Sequence, residues 1–261
     1  LISVWQIRAD TRALAWIGFF ALILAAWSAL FAMSLEVPDA TLRALYGADF
    51  WRSVCGASGL SAGFGVTLSM WVLMVAAMMM PTFAPSLKTY SELQSTEAAN
   101  AAGMAMLVLG YVAIWFGFSL LAAGLQTAFL KVGFVSPAGT SLSWGLNSAL
   151  LILAGFYQFS TFKDACLSRC RAPLTFFMGH WRPGSAGALN MGLRLGAICL
   201  GCCWALMLLA FVGGTMNLLW MGLATLVMVA EKLPQIGTPV TRPLGILLIM
   251  TGVGAGVATI Y

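Results

Sequence analysis

The chain has 261 residues, of which 61% are hydrophobic and only 8% charged. Soluble globular domains carry roughly 25% charged residues, so water cannot be its only solvent and a soluble enzyme or binding module is excluded. The net charge of +5 does not point to nucleic acid, because the charges cluster in particular loops, as membrane topology requires.

Seven apolar runs approach the ~20 residues that cross a hydrocarbon core of about 30 Å. They lie at roughly 13–34, 64–82, 101–126, 143–160, 189–212, 215–231 and 242–260. These runs predict an all-α polytopic membrane protein in which residues 1–261 form a single transmembrane helical domain, with about seven transmembrane helices in one bundle. The first run is too long and too poorly terminated to read as a cleaved signal peptide. Of the 13 Lys and Arg residues, ten fall on one side of the alternating spans: Arg8, Arg12, Lys88, Lys163, Arg169, Arg171, Arg182, Arg194, Lys232 and Arg242. Arg43, Arg52 and Lys131 fall on the other. The positive-inside rule then puts the N-terminus in the cytoplasm and the C-terminus outside.

Residues 36–63 form an outer loop. Leu42, Leu45, Tyr46, Phe50 and Trp51 within it have the spacing of one face of a short interfacial helix. The second span carries Met70, Met74 and Met78 at i, i+4 and i+8, a thioether stripe along one helix face. Methionine is also a flexible filler of helix cores, so this stripe alone does not decide between ligand and packing. Pro81 is expected to end or kink the helix, exposing Met78 to Met80 near the inner boundary. The 127–142 connection, with Pro137 and Gly139, reads as a plain turn.

The longest inner connection, 161–188, is basic and follows Tyr157-Gln158. It holds Cys166 and Cys170, which face together if the segment is helical. Lys163, Arg169 and Arg171 are expected to lower the pKa values of both thiols and favour the thiolate. It also holds His180, the sole histidine. One histidine cannot ligate a haem from both sides, and no CxxCH is present.

The fifth span carries Cys199, Cys202 and Cys203, followed by Met207. Cys199, Cys203 and Met207 are spaced four apart and form a sulfur stripe, with Cys202 flanking it. Soft sulfur ligands suit Cu(I) and similar metals. Six cysteines in all could suggest disulfides, but three lie within one span, so a disulfide framework is not expected. Gly192 with Gly196, and Gly252 with Gly256, have a spacing that lets membrane helices approach closely. Asn217 opens the sixth span and needs a partner within the bundle, since an unpaired amide in hydrocarbon is costly. Glu231-Lys232 closes that span, either as a functional pair or as a snorkelling interface marker. No Walker loop, nucleotide fingerprint, GxSxG or HExxH is present, so ATP-driven pumping by this chain alone is excluded.

Several motifs together carry a resemblance: Trp71-x-x-Met74 running to Met78-Met79-Met80-Pro81; Gly155-x-Tyr157-Gln158 through Lys163-x-x-Cys166-x-x-x-Cys170-Arg171-x-Pro173; Cys199-x-Gly201-Cys202-Cys203-Trp204-x-x-Met207; Gly214-x-Met216-Asn217-x-x-Trp220-Met221; and Glu231-Lys232. Over about residues 64–233 the chain resembles a bacterial family of predicted metal-binding integral membrane proteins, some of whose members carry a copper-chaperone label. The resemblance implies a multi-pass protein of the bacterial inner membrane that handles copper as transporter or metallochaperone. Cu(I) would be held by Cys199, Cys202, Cys203 and Met207 facing Met70, Met74 and Met78. Cys166 and Cys170 would form an inner docking or exit site, and Glu231, Asn217 and Gln158 are further polar candidates. The lipid bilayer is one partner, and a soluble metal carrier or a membrane complex is another. Two alternatives are a non-catalytic subunit of a metal-dependent oxidase or monooxygenase, and a membrane thiol oxidoreductase. The latter would use Cys166/Cys170 or the buried C-x-x-C of Cys199 and Cys202.

Overall fold

A computed structural model describes residues 4–34, 63–94, 100–136, 141–215 and 217–257. Ten helices follow in order among them: α1 (Val4–Ser34), α2 (Phe64–Gln94), α3 (Ala101–Val132), α4 (Trp144–Tyr157), α5 (Thr161–Arg171), α6 (Pro173–His180), α7 (Gly184–Leu208), α8 (Ala210–Gly213), α9 (Leu218–Lys232) and α10 (Gly237–Val257). The extended backbone among the described residues pairs only in an isolated bridge between Val135 and Ser141. The expected interfacial helix at 36–63 lies outside the described residues.

Five segments are long and apolar enough to cross a membrane: Ala13–Met33, Phe64–Leu93, Ala101–Val132, Gly184–Gly213 and Pro239–Val257. The protein is therefore a helical membrane protein. The expected count of seven is not confirmed: among the described residues the fourth and sixth runs form helices of only 14 and 15 residues. At 1.5 Å per residue they extend about 21 and 22 Å, short of a 30 Å hydrocarbon core. Leu121 is 76% exposed and Leu219 87% exposed. Such outward apolar side chains suit lipid and would be unfavourable in water.

Close approach fixes the bundle. A Cβ on Gly192 would lie 2.1 Å from the Leu107 carbonyl oxygen, and one on Gly196 would meet Ile114 and Tyr111. α3 and α7 therefore run parallel, backbone against backbone, as small-residue spacing permits. α2 lies antiparallel to α3: Trp71 Nε1 donates to Gln126 Oε1 at 2.7 Å, and Phe83 stacks on Tyr111 with ring centroids 3.9 Å apart. α4 and α10 are antiparallel, with Gly252 against Ile152 and Gly256 against Ser148.

Pro81 does not end α2, which continues through Pro81 and Pro85 to Gln94. Pro81 has no N–H for the carbonyl of Ala77; the Trp27 indole of α1 donates to that carbonyl instead, at 3.1 Å. With the helix intact, Met78 and Met79 are buried rather than exposed at a broken end. The 161–188 segment is likewise not an open loop. It folds into α5 and α6, and α5 packs on α7 at the level of the cysteines.

Candidate metal centre

Cys199, Cys202 and Cys203 lie on one face of α7, at i, i+3 and i+4, and all three are buried. Their sulfur atoms lie within 4.8 Å of one another. Cys202 Sγ is 3.3 Å from Cys203 Sγ and donates to the Cys199 carbonyl at 3.1 Å. A metal–thiolate bond is about 2.3 Å, so two sulfurs on one metal sit about 4 Å apart when trigonal and about 4.6 Å apart when linear. The cluster thus has the size of a one-ion site, and its all-thiol donor set is the kind that selects soft metals. Cys202, expected to flank the stripe, stands between Cys203 and a fourth cysteine. The five described cysteines are free thiols; Cys55 lies outside the described residues.

Polar groups from three other helices surround Cys199. Lys232 Nζ, at the end of α9, lies 3.0 Å from Cys199 Sγ and donates to Thr82 Oγ1 at 2.8 Å. Thr82 Oγ1 itself stands 3.9 Å from that sulfur. The Tyr111 hydroxyl is 3.1 Å from Cys199 Sγ and 3.2 Å from the Met79 carbonyl it donates to. Sequence reasoning missed Tyr111 and Thr82 altogether. A tyrosine inside an apolar span is a usable signal, because a buried hydroxyl needs a partner.

Glu231 and Lys232 are not a snorkelling pair; their side chains diverge. Glu231 turns to α5, where both carboxylate oxygens accept from Lys163 Nζ at 2.8 Å. Lys163 is 0% and Glu231 1% exposed. Lys163 also donates to Gln158 Oε1, and Arg171 Nε donates to the Glu231 carbonyl at 2.8 Å. These bonds bind α5 to α9 and bring Cys170 Sγ within 3.9 Å of Cys202 Sγ. Cys166 packs elsewhere: a Cβ on Gly201 would come 2.8 Å from its sulfur. The expected thiolate at Cys166 is not favoured. Burial pushes its pKa up, against a lowering influence of Arg169, while Lys163 and Arg171 are directed at Glu231. His180 stacks on Phe176 and its Nδ1 lies 3.0 Å from the Phe176 carbonyl.

The methionines divide. Met74 and Met78 from α2, Met207 from α7 and Met221 from α9 line one small cavity, with Leu206, Ala210, Trp220 and Ala224. Met70 is buried but does not line it. Asn217 finds its partner locally rather than across the bundle. It is exposed, caps α9 and accepts from the Trp220 N–H at 3.2 Å. A cap offers a short amide an oxygen role that a span interior does not.

A family model described as PpoB2, copper chaperone, matches residues 68–255, which takes in most of α2 through nearly all of α10. No curated protein and no solved structure matches the chain.

Proposed function

The chain belongs to the PpoB2 copper-chaperone family, and from that premise we propose that it is a Cu(I) carrier of the bacterial inner membrane that loads a partner protein. The observation that carries this reading is the convergence of three buried thiols within 4.8 Å of one another. Cys199, Cys202 and Cys203 bind the ion as thiolates. Copper stays monovalent throughout, and each thiol that becomes a ligand releases its proton.

Two or three thiolates around one Cu(I) leave net negative charge in a dry site, which is costly unless paired. Lys232, 3.0 Å from Cys199 Sγ, supplies the counter-charge. Cys170 is half-buried, stands on a separate short helix and sits 3.9 Å from Cys202 Sγ. It is suited to act as the exchange ligand: it adds to the ion as Cys199 or Cys203 lets go, then yields it to a thiolate of a soluble metal carrier. Ligand substitution of this kind needs no nucleotide, in keeping with the lack of a Walker loop.

The test is copper content by mass spectrometry after washing the purified protein with a competing Cu(I) chelator. Protein from copper-grown cells should retain one chelator-resistant copper per chain, and the Cys199/Cys202/Cys203→Ser variant none. Equal retention by both proteins would overturn the reading.

A further inference from the structure

We propose that the cavity lined by Met74, Met78, Met207 and Met221 is a second, separate Cu(I) site, built of thioethers and adjoining the cysteine cluster. The inference rests on the preceding reading only for the ion's onward path; the site itself stands on its own geometry. Four methionines from three helices, all at most 3% exposed, turn to one cavity of about 10 Å³. That is roughly the space of one water molecule, and hence of one ion. No ionisable side chain lines it. A neutral lining whose only ligating side-chain atoms are thioether sulfurs offers nothing to Mg²⁺, Ca²⁺ or Zn²⁺, which require oxygen, imidazole or anionic donors. It suits a soft monovalent cation.

The wall opposite α2 is held in place by contacts that packing alone would not require. Trp220 fits over Gly213, where a Cβ would lie 2.2 Å from the ring. Its indole donates to the Leu209 carbonyl at 2.8 Å, and its backbone N–H is capped by Asn217. Met221 follows directly, so the cap that starts α9 also fixes one ligand. The aromatic wall adds a favourable surface for a cation. Met207 lies four residues beyond Cys203, about 6 Å along the helix axis. The contacts of α5 on α7 fall at Gly201 and Cys202, before Met207 in the helix. An ion at the thioethers would thus be one helical turn from the thiols, with Cys170 on their far side. Met70, though in the same sequence stripe, is left out because its side chain falls outside the cavity lining.

The measurement is calorimetric titration with Ag⁺, a redox-inert probe for Cu(I), on purified protein in detergent. A variant with all six cysteines, Cys55, Cys166, Cys170, Cys199, Cys202 and Cys203, changed to Ser should still bind one Ag⁺. Adding Met74→Leu and Met221→Leu should weaken that binding at least tenfold, while adding Met70→Leu should leave it unchanged. If the Ser variant binds no Ag⁺ while retaining its native helical circular dichroism, or if the Met74/Met221 pair is silent, the thioether site is wrong. If the Ser variant misfolds, the same leucine substitutions in the wild-type chain must remove the weaker of two Ag⁺ equivalents, and retention of both equivalents overturns the proposal. Loss of the chelator-resistant copper is a different result and bears on the cysteine reading alone.

Discussion

Lys232 places its ammonium 3.0 Å from Cys199 Sγ and 2.8 Å from Thr82 Oγ1, so it acts on the thiols while its neighbour Glu231 serves another helix. A hydrogen bond to a charged group contributes roughly 1.5–3 kcal/mol. Lys232→Gln should therefore weaken Cu(I) retention about ten- to a hundredfold in chelator competition, with Lys232→Arg recovering much of it. A purely packing role would instead lower the melting temperature and leave retention unchanged. At this scale the sequence shows the donors but not their surroundings. Cys199, Cys202 and Cys203 are legible because helical spacing alone puts them on one face. Thr82, Tyr111 and Lys232 come from α2, α3 and α9, and only packing brings them to Cys199. Spacing also misjudged Cys166, since nearby positive charge in sequence did not outweigh burial against Gly201. Cys170 should accordingly react with a maleimide faster than Cys166, as read by mass spectrometry of timed labelling.

Among the elements, α5 was the least legible. Its basic residues read as a topology signal for an open loop, yet Lys163 is fully buried on Glu231. The two lie 68 positions apart, so no local pattern announces the pair. The ion pair acts as a latch that sets Cys170 beside the cysteine cluster. Removing one partner of a buried pair leaves an uncompensated charge and typically costs 3–5 kcal/mol. Glu231→Ala should lower the melting temperature in detergent and speed labelling of Cys170, while Lys163→Met with Glu231→Leu should restore much of the stability. If Cys170 labels at the wild-type rate in Glu231→Ala, α5 is held by something else. Pro81 teaches the same lesson in α2. The local rule predicts a break, and a donor 50 positions away, Trp27, meets the carbonyl left unpaired.

For the whole molecule, membrane class and approximate span positions follow from composition and run length, whereas the number of full crossings does not. The apolar runs at 143–160 and 215–231 continue past the helices they contain. α4 stops at Tyr157, before the N-cap Ser160 of α5, and α9 starts only after its own N-cap, Asn217. Hydropathy counts apolar residues and is blind to such caps. The parallel packing of α3 and α7 nevertheless requires the chain to return once between them, and α4 is the helix that does so. If α9 likewise returns the chain before α10, the basic ends around Lys88, Arg169, Arg182 and Arg242 share one face, and the positive-inside rule makes it cytoplasmic. Fusions to a reporter active only outside the cytoplasm should then be active at Val132 and at the C-terminus, and inactive at Gln94 and His180. Activity at His180 would put α5, α6 and Cys170 on the wrong side for delivery to a cytoplasmic carrier. The order of the sites, with thioethers away from α5 and Cys170 beside it, would then describe export.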